Sequence, residues 1–216
     1  MENEARPSPL GLTVLGLLIA GPLHPYAMQR LIREWGKDQV VNVRQRASLY
    51  RTIKRLQQAG LVAVLHTERD ENYPERTVYE LTDRGRRTVH DWLVAMLSSP
   101  RNEFPEFPAA LSFVMLLAPD EVLPALERRA AVLREILTAA DGALGGDDNM
   151  PPRLFLLETE YLRATTAAEL AWVDGIVADL RSGKLSWSEE ELLRLAQSYQ
   201  DYQQAMGDAE PAPRQT

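Results

Sequence analysis

The segment Arg44–Val62 reads RQRASLYRTIKRLQQAGLV and carries Arg44, Arg46, Arg51, Lys54 and Arg55 without a single Asp or Glu. At about 100° per residue, Leu49, Tyr50, Ile53 and Leu56 fall on one arc of a helix and Arg44, Arg51, Lys54 and Arg55 on the opposite arc. Helix faces built only for solubility usually mix the two signs in i,i+4 pairs. A face of one sign can neutralise a polyanion: guanidinium and ammonium groups pair with phosphate oxygens, arginine forks can donate to guanine edges, and Ser48 can bind a phosphate from the helix start.

Other chemistry finds little support. His24, His66 and His90 match no zinc spacing and the chain has no Cys, which removes thiolate ligands, disulfides and cysteine nucleophiles. No Gly-rich phosphate loop, GxSxG elbow or HExxH occurs. No catalytic group, metal or other cofactor is expected, and the chain is read as not an enzyme. Acidic pairs such as Glu158 and Glu160 are read as solvated or first-turn charges favoured by the helix dipole.

The basic helix needs a frame. Ser8-Pro9 is a helix cap with proline at the first helical position, and LGLTVLGLLIAG predicts a buried helix stopped at Gly21. A second helix is predicted from about His24 to Trp35, with Tyr26, Met28, Leu31, Ile32 and Trp35 on its apolar side. The third, from about Arg46 to Ala59, stops at Gly60. Two β-rich runs, Leu61 to Thr67 and Arg76 to Leu81, flank a longish loop with Asn72 and Pro74, and Thr82-Asp83 then caps a helix reaching Leu97. The hairpin tip carries Arg69, Tyr73 and Arg76.

Charge divides the chain. Met1–Ser98 holds 14 Lys and Arg against 11 Asp and Glu, whereas Ser99–Thr216 holds 10 against 20, so a basic working end sits on an acidic body with a net charge of −7. The Pro-rich SSPRNEFPEFP is the expected hinge, its Phe104 and Phe107 packing on something. Beyond it a helix is predicted over Ala109–Leu117. A long one follows from Pro119, with the stripe Val122, Leu126, Ala130, Leu133 and Leu137, and another runs from Pro152 to about Arg181. That last helix bears two stripes, Leu157, Tyr161, Ala164, Ala168, Ala171 and Leu170, Val173, Val177, Leu180. Being apolar on two sides, it predicts a homodimer built on Leu157, Tyr161, Leu170, Trp172, Val173, Val177 and Leu180, the alternative being burial within the chain alone. A final helix from Ser188 to about Met206 precedes a disordered tail. The expected division is 1–98 for DNA binding, 99–206 for dimerisation and 207–216 as tail.

Three helices with a basic third, a hairpin and a fourth helix follow the order of a winged helix-turn-helix, in which the third helix enters the major groove. On that frame the DNA-binding set is Arg44, Arg46, Ser48, Tyr50, Arg51, Lys54, Arg55, Tyr73 and Arg76. The fold class is mainly α with a small β-hairpin wing and a C-terminal helical arm.

Several linked motifs carry a family likeness: LGLTVLGLLIAGPLHPYAMQRLI, ASLYRTIKRLQQAGLV and ERTVYELTDRGRRTVHDWL. Through Gly21, Pro22, His24, Tyr26, Ser48, Leu49, Tyr50, Leu56, Gly60, Leu61, Tyr79, Leu81, Thr82 and Gly85 the chain resembles the PadR family of bacterial transcriptional regulators over most of Leu10–Leu97. The second half more loosely resembles the helical arm of its longer-armed members, in which a helix swaps onto the partner. Pro25 stands where the family usually has Gly, Ala47 replaces a common Gly, and Pro74-Glu75 sits in a wing often richer in Gly and basic residues.

The resemblance implies a repressor that binds a two-fold double-stranded DNA operator as a homodimer, with a small aromatic effector releasing it. Trp35, Trp92, Trp172, Phe104 and Phe107 are candidate lining residues, each also readable as core. The alternative is a winged-helix protein for protein–protein interaction or small-molecule binding without specific DNA binding. A cytoplasmic location away from membranes is expected, since no apolar run approaches the roughly 18 residues of a membrane span.

Overall fold

Ser8, in extended backbone (φ −146°, ψ 145°), accepts the N–H of Gly11 on its hydroxyl at 3.2 Å, and with Pro9 next the first helix, α1 (Pro9–Ile19), begins. Both residues suit a helix start, where backbone donors lack intrahelical partners. The structure is a computed structural model describing residues 6–43, 46–70, 73–101, 103–146, 151–195 and 197–198. Its chain forms two compact units, Met1–Asn102 and Glu103–Thr216.

In the first unit α1 is followed by α2 (Pro25–Glu34), a 3-10 turn (Lys37–Gln39), α3 (Arg46–Gln58), strands β1 (Val62–Asp70) and β2 (Tyr73–Leu81), and α4 (Asp83–Ser98). This is the winged helix-turn-helix predicted from the spacing. His24 caps α2, its Nδ1 accepting the N–H of Ala27 at 3.0 Å, with Pro25 in the first turn. Val14, Leu15, Leu18, Met28, Ile32, Leu49, Ile53, Leu56, Val62 and Trp92 are buried in one core. Each large apolar side chain so buried contributes about 1.5–3 kcal/mol.

The buried side of α2 differs from the predicted stripe. Ala27, Met28, Gln29 and Ile32 face inward, whereas Tyr26 and Trp35 are exposed, because the helix lies rotated toward the Gln29 edge. Gln29 is buried with no hydrogen-bond partner for its Nε2 among the described residues. A buried unpaired donor costs about 1–3 kcal/mol, so Gln29→Met, similar in size and helix propensity, is expected to raise stability by about 1 kcal/mol in urea unfolding. A lower midpoint would show that the amide is needed.

The hairpin strands are longer than predicted. Antiparallel pairing runs from Val62↔Leu81 to Asp70↔Tyr73, with irregularities between Val64 and His66 and between Glu68 and Asp70. Pro74, read as loop, lies in β2, a strand at a sheet margin where a missing N–H is tolerated. Leu23 adds a further antiparallel rung on β2 through reciprocal bonds of 3.0 Å with Tyr79.

The second unit holds α5 (Glu106–Leu111), a 3-10 turn (Val114–Leu116), α6 (Pro119–Leu144), a 3-10 turn (Arg153–Phe155) and α7 (Leu157–Arg181). The helix predicted over Ala109–Leu117 thus starts earlier and breaks after Leu111, where the Phe113 N–H turns back to Ala110, three residues before it. Residues 189–195 and 197–198 are helical, with Ser188 and Glu191 capping each other reciprocally at 3.2 and 2.9 Å. The predicted tail, 207–216, lies outside the described residues.

Helix α7 begins at Leu157 rather than Pro152. Arg153 forks onto both oxygens of Glu160 at 2.9 and 3.3 Å and holds the 3-10 turn against the first helical turn. Glu160, read as a solvated charge, is therefore an ion-pair partner, and the hydrogen bond from Arg153 lowers its pKa. A depressed folded-state value contributes stability above the unfolded value that is lost as the pH falls through the folded one. In an NMR titration Glu160 should protonate below the ordinary carboxylate range, and Arg153→Ala should return it there.

Helices α6 and α7 pack through Val122, Leu126, Ala130, Leu133, Val173 and Val177. Four ion pairs join them: Glu127–Arg181, Arg129–Glu169, Arg134–Asp174 and Asp141–Arg163. Exposed pairs of this kind stabilise little, so the apolar contacts carry the pairing of the two helices.

Candidate nucleic-acid interface

Helix α3 shows two chemistries on opposite sides. Leu49, Ile53, Leu56 and Ala59 are buried in the first core, whereas Tyr50, Arg51, Lys54 and Arg55 are exposed and Ser48 is half-buried. Tyr50 belongs to the solvent side rather than the apolar arc, 55 % of it being accessible. Its phenol therefore joins the basic face instead of the core.

Among the described residues Arg51, Lys54 and Arg55 make no ion pair with a carboxylate. Arg51 reaches Ser48 Oγ at 3.4 Å and Arg55 donates to Ser8 Oγ at 2.8 Å. Ser48, Arg51, Thr52 and Arg55 line a shallow pocket of about 250 Å³. Two guanidinium groups beside hydroxyl donors suit a phosphate oxygen cluster. Arg44 lies outside the described residues, as do the side chains of Arg46, Arg69, Tyr73 and Arg76, although Arg46 opens α3 and Tyr73 and Arg76 belong to β2.

The pose of α3 depends on residues that carry no charge. Gly60 (φ +68°) ends the helix, its N–H bonding to Gln57 at 2.9 Å while Leu61 N–H reaches Leu56 at 2.9 Å. Such a left-handed stop favours glycine. Thr82 then binds three elements together: its hydroxyl donates toward the carbonyls of Gly60 (2.8 Å) and Leu61 (3.1 Å) and accepts the N–H of Gly85 at 3.0 Å. Gly85 sits so close to this junction that a Cβ would stand 2.1 Å from the Leu61 carbonyl oxygen. Reading for charge did not reveal that Ser8 reaches Arg55; only the fold brings a residue 47 positions away beside it.

The residues expected at a dimer face separate. Val173 and Val177 are buried in the second core and Leu170 and Leu180 pack against it, so α6 of the same chain covers this stripe. For this stripe the alternative expectation, burial within the chain, is the one the structure fits. Leu157 and Tyr161 remain exposed, at 48 % and 68 %. Trp172, half-exposed, meets Phe107 edge-on at 6.0 Å, and Phe104 is exposed. Trp92 is core and Trp35 is surface.

No group of three or more His, Cys, Asp or Glu among the described residues could hold a metal ion, and none of the described helices is long and apolar enough to cross a membrane.

Residues 14–91 match the model of the Transcriptional regulator PadR-like family. The chain is 25% identical over 185 residues to the negative transcriptional regulator PadR of Bacillus subtilis (strain 168), covering 78% of this chain and 96% of that protein. Its fold is similar to that of Bacillus subtilis PadR in complex with operator DNA, with a TM-score of 0.62, 21% identity and coverage of 79% of this chain and 98% of that one. The same relative in complex with p-coumaric acid gives 0.59, 21%, 81% and 99%. With the match falling on the helices, wing and Thr82–Gly85 junction just described, residues 14–91 are similar to the PadR-like family of transcriptional regulators.

Proposed function

We propose that the chain is a repressor that binds a two-fold double-stranded DNA operator as a homodimer and is released by a small aromatic effector. The carrying observation is the exposed set Ser48, Tyr50, Arg51, Lys54 and Arg55 on a helix whose other side is locked in the core. The operator and p-coumaric acid complexes of the Bacillus subtilis relative support the same reading. Arg44, Arg46, Tyr73 and Arg76 extend the DNA face, with residues 1–98 as its domain. Residues 99–206 supply the dimer contacts through the exposed apolar start of α7, Leu157 and Tyr161. The protein acts in the cytoplasm and is not an enzyme.

Fluorescence anisotropy on a labelled duplex from immediately upstream of its own gene tests this, with scrambled competitor at low and physiological salt. Specific binding that weakens steeply with salt is expected, because phosphate neutralisation releases counterions. Binding erased equally by scrambled duplex, followed by failure to enrich any sequence from a random pool, would overturn it.

A further inference from the structure

We infer that the groove between α5, α6 and α7 is a binding site for a planar aromatic cation that donates N–H hydrogen bonds. The groove encloses about 810 Å³ and is lined by Glu106, Phe107, Leu111, Arg129, Glu169 and Trp172, with prolines at its rim. Its aromatic wall is already organised. The Arg129 guanidinium lies 3.6 Å from the centre of the Phe107 ring, occupying one face, and Phe107 meets Trp172 edge-on. Trp172 remains 46 % exposed, so its indole is available for a flat ring or a cation.

The polar groups select the sign of the ligand. Both Arg129 contacts to Glu169 fall on Oε1, the Nε bond at 2.6 Å and the Nη2 contact beside it. Oε2 of Glu169 receives no hydrogen bond among the described residues. Arg129 and Glu169 cancel, leaving Glu106 as the uncompensated charge of the lining, and ionised carboxylates only accept hydrogen bonds. The surrounding half of the chain, with its excess of 10 acidic residues, adds a field of the same sign. An aromatic carboxylate, the class of p-coumaric acid, would face the like charge of Glu106 here and have to displace Glu169 from Arg129.

The site stands on this geometry. Only its consequence, release of DNA by such a cation, rests on the regulatory reading. The test uses the full-length protein without DNA and a matched pair of probes, 2-naphthamidine and 2-naphthoate, which share a ring and differ in charge. The four tryptophan indole N–H signals are followed by NMR, with Trp172→Phe identifying that of Trp172. The expected result is a saturable shift of the Trp172 signal with the amidine at a Kd at least about tenfold below that of the acid. Exposed Glu106→Gln should weaken the amidine about threefold without altering the fold. Equal or tighter binding of the acid, no saturable shift, or a Trp172 signal that responds to protein concentration alone would overturn the assignment, the last by giving the groove to a second copy of the chain. None of these outcomes touches duplex binding, which is measured separately.

Discussion

Replacing Arg51, Lys54 and Arg55 together by alanine is expected to lower operator affinity by on the order of a thousandfold, from about 1.5 kcal/mol per lost charge-assisted contact. The protein should stay folded, since all three side chains are exposed while the core partners Leu49, Ile53 and Leu56 on the same helix are untouched. The losses from the fold itself are the exposed Arg55–Ser8 and Arg51–Ser48 hydrogen bonds, each worth about 1.5 kcal/mol or less. Salt dependence supplies a second readout. If the three groups neutralise one phosphate each, the slope of log affinity against log salt should flatten by about 2.7. Wild-type affinity in the triple variant, with an unchanged slope, would remove α3 from the interface.

Gly85→Ala is expected to destabilise the first unit by about 3 kcal/mol or more, a large share of the stability of an ordinary domain. The clash is with the backbone oxygen of Leu61 at 2.1 Å and with Leu81 Cδ1 at 2.7 Å, and a carbonyl cannot rotate away as a side chain can. Gly16→Ala is the control. Gly16 is exposed within α1 with nothing within 4 Å of an added Cβ, so the same change there should stabilise by about 0.5–1 kcal/mol through helix propensity. Thermal unfolding of the two variants beside the parent protein checks both signs. Equal effects would mean that the Leu61–Gly85 approach is not tight in solution.

Local signals were the legible ones. Ser8-Pro9, His24-Pro25, Gly60, Thr82 and Ser188 mark helix ends by their own chemistry, and the structure begins or stops helices beside each. The basic side of α3 was equally legible, because both its charge and its periodicity lie within one short segment. What depended on distant partners was not. The stripe Leu170–Leu180 looks unpaired until α6 is laid against it, and the ion pairs of Arg129, Arg134 and Arg181 join residues 40 to 54 positions apart. Pro74 suggested a loop because propensity does not say which side of a strand needs an N–H. Gln29 gave no sign of its burial, since a glutamine on a helix usually points to water.

The Thr82–Gly85 junction also makes a lever of the wing domain. Helix α4, the last element of the first unit, is fastened at its start to the end of α3 through Thr82, Gly60 and Leu61, and the missing side chain at Gly85 leaves no slack between them. A joint packed this closely would carry a displacement at the far end of α4, near Ser98, toward the helix that bears Arg51 and Lys54.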